Sequence, residues 1–363
     1  MPTITGTMRP DYSRQISLKE VGPDGQAALA RSRVLVVGAG GLGSPVLQYL
    51  AGAGVGHLGI VDADTLDASN LHRQPLYALA DAGKSKVRLA RAALLAINPS
   101  ITVEAHAVRF AADNALDLVR THDLVIDCSD NFRTKFLIND AAVLARKPAV
   151  FASVYQYEGQ LQVFKPDPAH ACLRCLWPDA TPDGLVANCA EAGVLGPVPG
   201  TFGSLQALIA LKILLGLPGQ LAGELLLLDF ANFSSTKLKA RRRAACVAPD
   251  CTLIRGIPAD TDRTPDTADA DITQPSLAAA AEQQLEAIDI RNDDEVAAQP
   301  SKLRHISMPT LLAKPDLLTA TGRYLLVCAS GKRSLATARE LRKRGLTVYS
   351  LTGGLQGLPN QKP

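Results

Sequence analysis

Aromatic side chains are scarce in this 363-residue chain: one Trp, seven Tyr and eight Phe make up 4% of it. With a net charge of only +3, that scarcity argues against a basic stripe interleaved with aromatics, so no nucleic-acid partner is expected. The one basic cluster, KLKARRR at 237–243, reads as a solvated face or helix end, with a phosphate or partner contact as the minor alternative. Long apolar runs are missing too. LIALKILLGL at 208–217 is short and contains Lys212, so no membrane span is expected. The opening MPTITGTMRPDYSRQ lacks an apolar signal core, which predicts a cytoplasmic protein. Seven cysteines are too few and too unevenly placed for a disulfide scaffold, so their spacing matters more than their number.

What is present is an ordinary globular composition, 47% hydrophobic and 20% charged, in a chain long enough for two domains. The spacing predicts a helix over 24–31 and then RVLVVG at 33–38, a continuous apolar run of the kind found in parallel strands covered on both faces. Helix 43–53, strand 57–62, helix 84–96, strand 101–108, helix 113–120, strand 123–130, helix 133–146 and strand 148–156 extend the βα series. Such a series predicts an open, mostly parallel sheet with ligands at the strands' carboxyl ends, where Asp62, Asp64 and Asp130 fall. From 157 the pattern alternates as in antiparallel strands. It continues through a Pro/Gly-rich crossover at 178–200, an apolar helix at 201–215 and a strand at 225–230, giving a mixed sheet in one domain, 1–251. A linker is expected over 252–275, richest in Pro, Thr and Asp from 258 onwards, and a smaller α/β domain over 276–363. That domain's expected elements are helix 276–285, strands 287–290, 324–330 and 347–351, and helix 334–344.

GAGGLG at 38–43 supplies Gly38, Gly40, Gly41 and Gly43 between strand and helix, a loop that lets backbone approach a pyrophosphate at a helix N-terminus. NAD, FAD and ATP all suit such a loop. The following VDADTLDASNLHRQ at 61–74 adds carboxylates, an amide and Arg73, with Lys84 and Lys86 beyond. Hydride transfer needs few such cations, whereas cleavage of ATP to an adenylate must hold developing phosphate charge.

At these residues the chain resembles the ubiquitin-activating-type adenylating enzymes of the molybdopterin and thiamin pathways, in particular two-domain forms ending in a rhodanese-like domain. The motifs are YSRQI at 12–16, GAGGLG at 38–43, DAD at 62–64, SNLHRQ at 69–74, KSK at 84–86, DCSDNFRTK at 127–135 and NCAEAGVLGP at 188–197. The resemblance implies a Rossmann-like adenylating domain with a mixed sheet, ATP and Mg2+ as cofactors, and a small rhodanese-like α/β domain. It implies that Asp62 binds ribose, that Asn70, Arg73 and Lys86 contact phosphates, and that Asp130 sits beside magnesium and the reacting phosphate. It also implies that Arg14 reaches across a homodimer interface into the neighbouring site. The carboxylate at Asp130 suits a hard cation on its own chemistry, with a cap for the helix near Asn131 as the bland alternative. The implied substrate is the C-terminal Gly-Gly carboxylate of a small ubiquitin-like sulfur-carrier protein.

The cysteines divide by role. Cys172 and Cys175 form a CxxC pair, and Cys246 and Cys251 follow about seventy residues later, which together predict a tetrahedral Zn2+ site, with buried apolar cysteines or a redox pair as the alternatives. The second pair has four intervening residues where the resembled family has two, and His170 is a neighbouring alternative ligand. Cys189 lies in the polar crossover, and the resemblance makes it a thiol that links to the carrier or resolves sulfur transfer. Cys128 reads as a packing residue behind Asp130.

Cys328 ends the strand YLLVC and precedes ASGKRS and a helix, so loop amides, Lys332 and Arg333 would favour an anionic sulfur there. This stretch resembles the rhodanese active loop, with IDIRNDDE at 288–295 upstream and LTGGLQGLP at 351–359 closing it. The combined expectation is adenylation of a carrier followed by persulfide transfer, with sulfur loaded by a donor such as a cysteine desulfurase. A scaffold that binds the carrier without adenylating it, an activating enzyme with an inert second domain, and an NAD-dependent oxidoreductase are the competing readings.

Overall fold

The computed structural model describes residues 10–167, 170–178, 193–244, 246, 251, 254, 256–257, 272–274 and 276–357. The chain forms two compact units, one holding the described residues through 257 and one holding those from 272 onwards.

In the first unit a one-turn helix α1 (Ser13–Ile16) and α2 (Gly22–Arg31) lead into β1 (Arg33–Val37). Then come α3 (Gly43–Gly52), β2 (His57–Val61), α4 (Lys86–Ile97), β3 (Thr102–His106), α5 (Ala115–Arg120), β4 (Leu124–Asp127), α6 (Phe132–Ala145) and β5 (Ala149–Tyr155). After β6 (Glu158–Phe164) follow α7 (Leu173–Leu176), α8 (Pro197–Leu214), β7 (Glu224–Asp229) and β8 (Ser234–Lys239). The eight strands lie in the order β3-β2-β1-β4-β5-β6-β7-β8. β3 through β5 pair in parallel, and β5 through β8 pair antiparallel. The mixed α/β sheet expected from the sequence is therefore present. Beyond their first residues, Arg33 and His57, β1 and β2 carry no polar side chain because both faces are covered: Val34, Val36, Leu58 and Ile60 enter one cluster, Leu35, Val37 and Val61 the other.

β8 is an edge strand with all six residues exposed, so the solvated face expected for Lys237 and Lys239 is present, on a strand instead of a helix end. One expectation needs correction. Helix α8 starts at Pro197, four residues before the expected position, because a proline fits the first turn, where the missing N–H has no intrahelical acceptor. At 18 residues it is long and apolar enough to cross a membrane by length and composition. It nonetheless buries Phe202, Gln206, Ala207, Ile209 and Ala210 in the unit, and reads as a core helix.

The second unit begins with β9 (Thr273–Gln274), inside the stretch expected to be linker, and continues with α9 (Leu277–Glu282), β10 (Glu286–Asp289), α10 (Asp293–Ala298) and β11 (Arg304–His305). α11 (Met308–Ala313), β12 (Arg323–Val327), α12 (Lys332–Lys343) and β13 (Thr347–Leu351) complete it. Its sheet, β11-β10-β12-β13-β9, is parallel throughout. β9 exists because Ile272 O accepts the Ser350 N–H at 2.7 Å and Gln274 O accepts that of Thr352 at 2.9 Å.

Candidate active sites

The glycine loop of the first unit sits where β1 ends. Gly38 has φ +100°, and a Cβ there would lie 2.5 Å from the Cys128 carbonyl oxygen at the end of β4. Only glycine fits both the left-handed backbone and that approach. The consequence is functional, since it brings the loop against the segment that leads to Asp130. Asp62 holds the loop from the other side: its Oδ2 accepts the Ala39 N–H at 2.8 Å while its Oδ1 accepts that of Asp64 at 2.8 Å. Tyr77 adds a third tie, donating from its hydroxyl to Ala39 O at 2.7 Å. Burial raises the Tyr77 phenol above its ordinary pKa, with the Asp62 charge adding to the shift, so it stays a donor.

Lys86 opens α4 with its side chain buried, and its Nζ reaches the exposed Asp64 carboxylate at 3.0 Å. Asn70 closes a short turn in which its Oδ1 accepts the Asp67 N–H at 3.3 Å. Arg73, half-buried, donates to Ser69 O at 3.2 Å and meets His72 Nε2 at 2.8 Å. Asp130 is exposed, and it does not cap α6: Asn131 does, accepting the Thr134 N–H at 2.8 Å. Its carboxylate thus stands outside the helix-capping role that was the bland alternative.

The turn before it is bolted down by a buried pair. Lys135 Nζ contacts Asp127 Oδ2 and donates to Ala152 O at 2.6 Å, while Asp127 Oδ1 accepts from Ser129 N at 3.1 Å. Arg14 is exposed and makes no ion pair among the described residues. It is presented by anchored neighbours: Gln15 donates to Ala53 O at 3.0 Å, and Asn98 donates to the Tyr12 hydroxyl at 2.7 Å.

Cys128 is buried, with its sulfur 3.8 Å from Gln206 Oε1, and burial pushes its thiol well up, as suits a packing residue. The other pairs converge. Sulfur–sulfur distances are 3.8 Å for Cys172–Cys175, 3.8 Å for Cys175–Cys246 and 3.6 Å for Cys246–Cys251. The hydrogen bond between Cys172 and Cys175 puts the first negative charge on Cys175, lowering its thiol to about 5 and pushing that of Cys172 up. α7, which bears Cys175, is clamped to α6 by two 2.7 Å bonds from Arg174 to Asp140 and by the Leu173 N–H to Asn139 Oδ1 at 2.8 Å. His170 is engaged with Asp167 at 2.5 Å. Cys189 lies outside the described residues.

In the second unit Cys328 is fully buried. Its Sγ accepts the N–H of Gly331 at 3.2 Å and of Ser334 at 3.3 Å, and lies 3.4 Å from Ser334 Oγ. Gly331, at φ +83°, turns the chain into α12 so that these amides point back at the sulfur. Arg333 does not face the sulfur as a free cation: Glu295 takes its guanidinium with contacts of 2.5 and 2.6 Å. The expectation that Cys328 sits at the loop's mouth is corrected to a thiol sealed beneath it.

A model of the ThiF family matches residues 12–249. The chain belongs to the ThiF family. It is 52% identical over 239 residues to the sulfur carrier protein adenylyltransferase of Thermus thermophilus, covering 65% of this chain and 88% of that protein. It is 49% identical over 242 residues to the adenylyltransferase and sulfurtransferase MOCS3 of Mus musculus, covering 67% of this chain and about half, 52%, of MOCS3. Among solved structures E. coli MccB superimposes with a TM-score of 0.55 at 20% identity, over 67% of this chain and 71% of that one. At that identity the likeness is one of fold.

Several residues of this ThiF-family chain that shape the sites escaped the sequence reading. Tyr77, Lys135, Arg174, Glu295 and Ser350 act on backbone or on partners 16 to 38 positions away, a pairing that no local motif displays. Asp127 and Lys135 lay within the quoted DCSDNFRTK motif, but their pairing inside the core was invisible there.

Proposed function

We propose that this chain adenylates the C-terminal glycine carboxylate of a small ubiquitin-like sulfur-carrier protein with ATP, and then passes sulfur to it. The observation that carries the first half is the approach of Gly38 to Cys128, which sets the phosphate-binding loop beside the segment bearing Asp130. In this reading Asp62 holds the ribose, loop amides and Asn70, Arg73 and Lys86 hold the phosphates, and Arg14 serves the neighbouring site of a homodimer. Mg2+ bound at Asp130 would neutralise phosphate charge. The carrier carboxylate oxygen attacks the α-phosphorus, the bond to pyrophosphate breaks, and an acyl adenylate forms. Lys86 leaves Asp64 for the phosphates as the nucleotide enters.

Sulfur follows from Cys328. A donor such as a cysteine desulfurase loads it as a persulfide, the terminal sulfur attacks the acyl carbon, and AMP departs. A second thiol, assigned to Cys189, then attacks the Cys328 sulfur of the resulting acyl disulfide and releases the thiocarboxylate, leaving a protein disulfide. Three sulfur–sulfur distances of 3.6 to 3.8 Å support a structural zinc ion, because a tetrahedron with metal–sulfur bonds of about 2.3 Å has edges of about 3.8 Å. Cys172, Cys175, Cys246 and Cys251 would hold it, tying α7 to the segment after β8.

The test is carrier-dependent ATP–pyrophosphate exchange with a panel of Gly-Gly proteins. Exchange elicited by one carrier and lost in Asp130→Ala supports adenylation; exchange with none leaves a sulfur-relay or scaffold role. The complete burial of Cys328 favours a second reading for the second unit alone, in which it transfers no sulfur. Thiosulfate-to-cyanide transfer by the full chain separates the two.

A further inference from the structure

One buried polar group of the second unit has no role in the proposed sulfur transfer. Ser350 lies on β13 opposite Leu326, 1% exposed, on the face that carries Val348 into the apolar cluster of Leu326, Cys328, Ala338 and Leu341. A hydroxyl in such a layer costs stability unless it is bonded, and an apolar residue would pack there without that demand. Ser350 Oγ lies 2.8 Å from Ser334 Oγ and 3.4 Å from Gly331 O. Ser334 Oγ lies in turn 3.4 Å from Cys328 Sγ and 3.1 Å from Gly331 O.

Counting protons along this chain gives Ser350 its task. With Cys328 a thiol, its S–H donates to Ser334 Oγ, and the Ser334 proton goes to Gly331 O. With Cys328 a thiolate, the sulfur only accepts, so Ser334 must turn its single proton towards it. Its oxygen then needs a donor, and among the described groups the hydroxyl within reach is that of Ser350. We propose that Ser350 is a positioning residue: it donates to Ser334 Oγ whenever the Cys328 sulfur is anionic and so aims the Ser334 proton at that sulfur. The thiolate is both the nucleophile that takes sulfur and the leaving group when sulfur departs, so both steps gain. This inference rests on the reading of Cys328 as a sulfur carrier.

The experiment compares Ser350→Ala, Ser350→Val and Ser350→Thr in the full chain. Val and Thr share a shape and differ by the hydroxyl, which separates positioning from packing. With thiosulfate as donor, the thiolate takes the sulfane sulfur and releases sulfite. The kcat for this loading is expected to fall about tenfold in the Val and Ala variants, with KM for thiosulfate unchanged, and to return with Thr. Val loading as fast as the parent, or a folded Thr variant as slow as Val, overturns the proposal. If the parent takes no sulfur from thiosulfate, the rate of iodoacetamide labelling at the Cys328 peptide reads the thiolate directly. Slower labelling in Val than in parent and Thr then upholds Ser350 while the sulfur-transfer reading falls; equal rates sink both.

Discussion

The two units solve the same structural problem in opposite ways. Each follows a buried parallel strand with a glycine at positive φ and then a helix, Gly38 directly after β1 and Gly331 four residues beyond the end of β12. In the first unit the groups around that turn face outwards: Asp64 and Asp130 are exposed, and among the described residues Lys86 pairs with Asp64 alone. In the second the turn closes on its own chain, and the amides of Gly331 and Ser334 spend themselves on a fully buried sulfur. A polyanion that comes and goes needs an open cleft with charges held by exchangeable partners. A covalently bound nucleophile can be preorganised in advance, at the cost of access.

The strongest way to break this comparison is to disable each site alone. Cys328→Ser is expected to abolish thiosulfate-to-cyanide transfer and leave pyrophosphate exchange intact, while Asp130→Ala abolishes exchange and leaves thiosulfate-to-cyanide transfer intact; cross-effects of either variant on these two half-reactions would mean that the sites do not act independently. The next largest effect is on stability. Gly38→Ala should cost about 3 kcal/mol in urea unfolding, because the new methyl group meets the Cys128 carbonyl as well as the positive φ. Gly83→Ala is its control: φ is +84° with nothing within 4 Å of the new methyl, so only backbone strain of about 1 kcal/mol is expected.

Removing metal sharpens the contrast further. Elemental analysis should find one zinc per chain, and chelation should lower the melting transition of the first unit while the second is unmoved. Cys251→Ser should reproduce the shift without chelator.

Acid should separate the units by order, the smallest effect. Burial first, and the nearby Arg33 charge second, lower the His57 pKa; burial also lowers that of His122. Groups held neutral in this way stabilise the fold above their ordinary value of 6.5 and lose that contribution as pH falls through the lowered one. Glu295, held below its ordinary 4.5 chiefly by Arg333, stabilises the second unit above that value and fails only at lower pH. Thermal melts down a pH series should therefore show the first unit softening before the second; His57→Gln, which has no proton to gain, should narrow the gap.

Legibility varied with burial. β1, β2 and β4 stood out because strands covered on both faces are continuous apolar runs, and the CxxC spacing announced two of the thiols. β8 escaped because a fully exposed edge strand has no apolar period to betray it. β9 escaped because two residues in a Pro- and Asp-rich stretch become strand only when β13 offers partners. The start of α8 was hidden by the Pro and Gly residues that suggested a crossover.

By itself the sequence determined the chemistry on offer: a glycine loop between strand and helix, its carboxylates and cations, two cysteine pairs and a cysteine before a helix. Those are local patterns, legible because the backbone needs particular residues at particular steps. Only the tertiary structure decided which of them meet. It brought Cys246 to Cys175 and Cys251 to Cys246 despite their odd spacing, seated Gly38 on Cys128, and set Ser350 against Ser334. The reason is physical: such contacts join residues from different strands and helices, and their distances are fixed by packing around a buried core and not by separation along the chain.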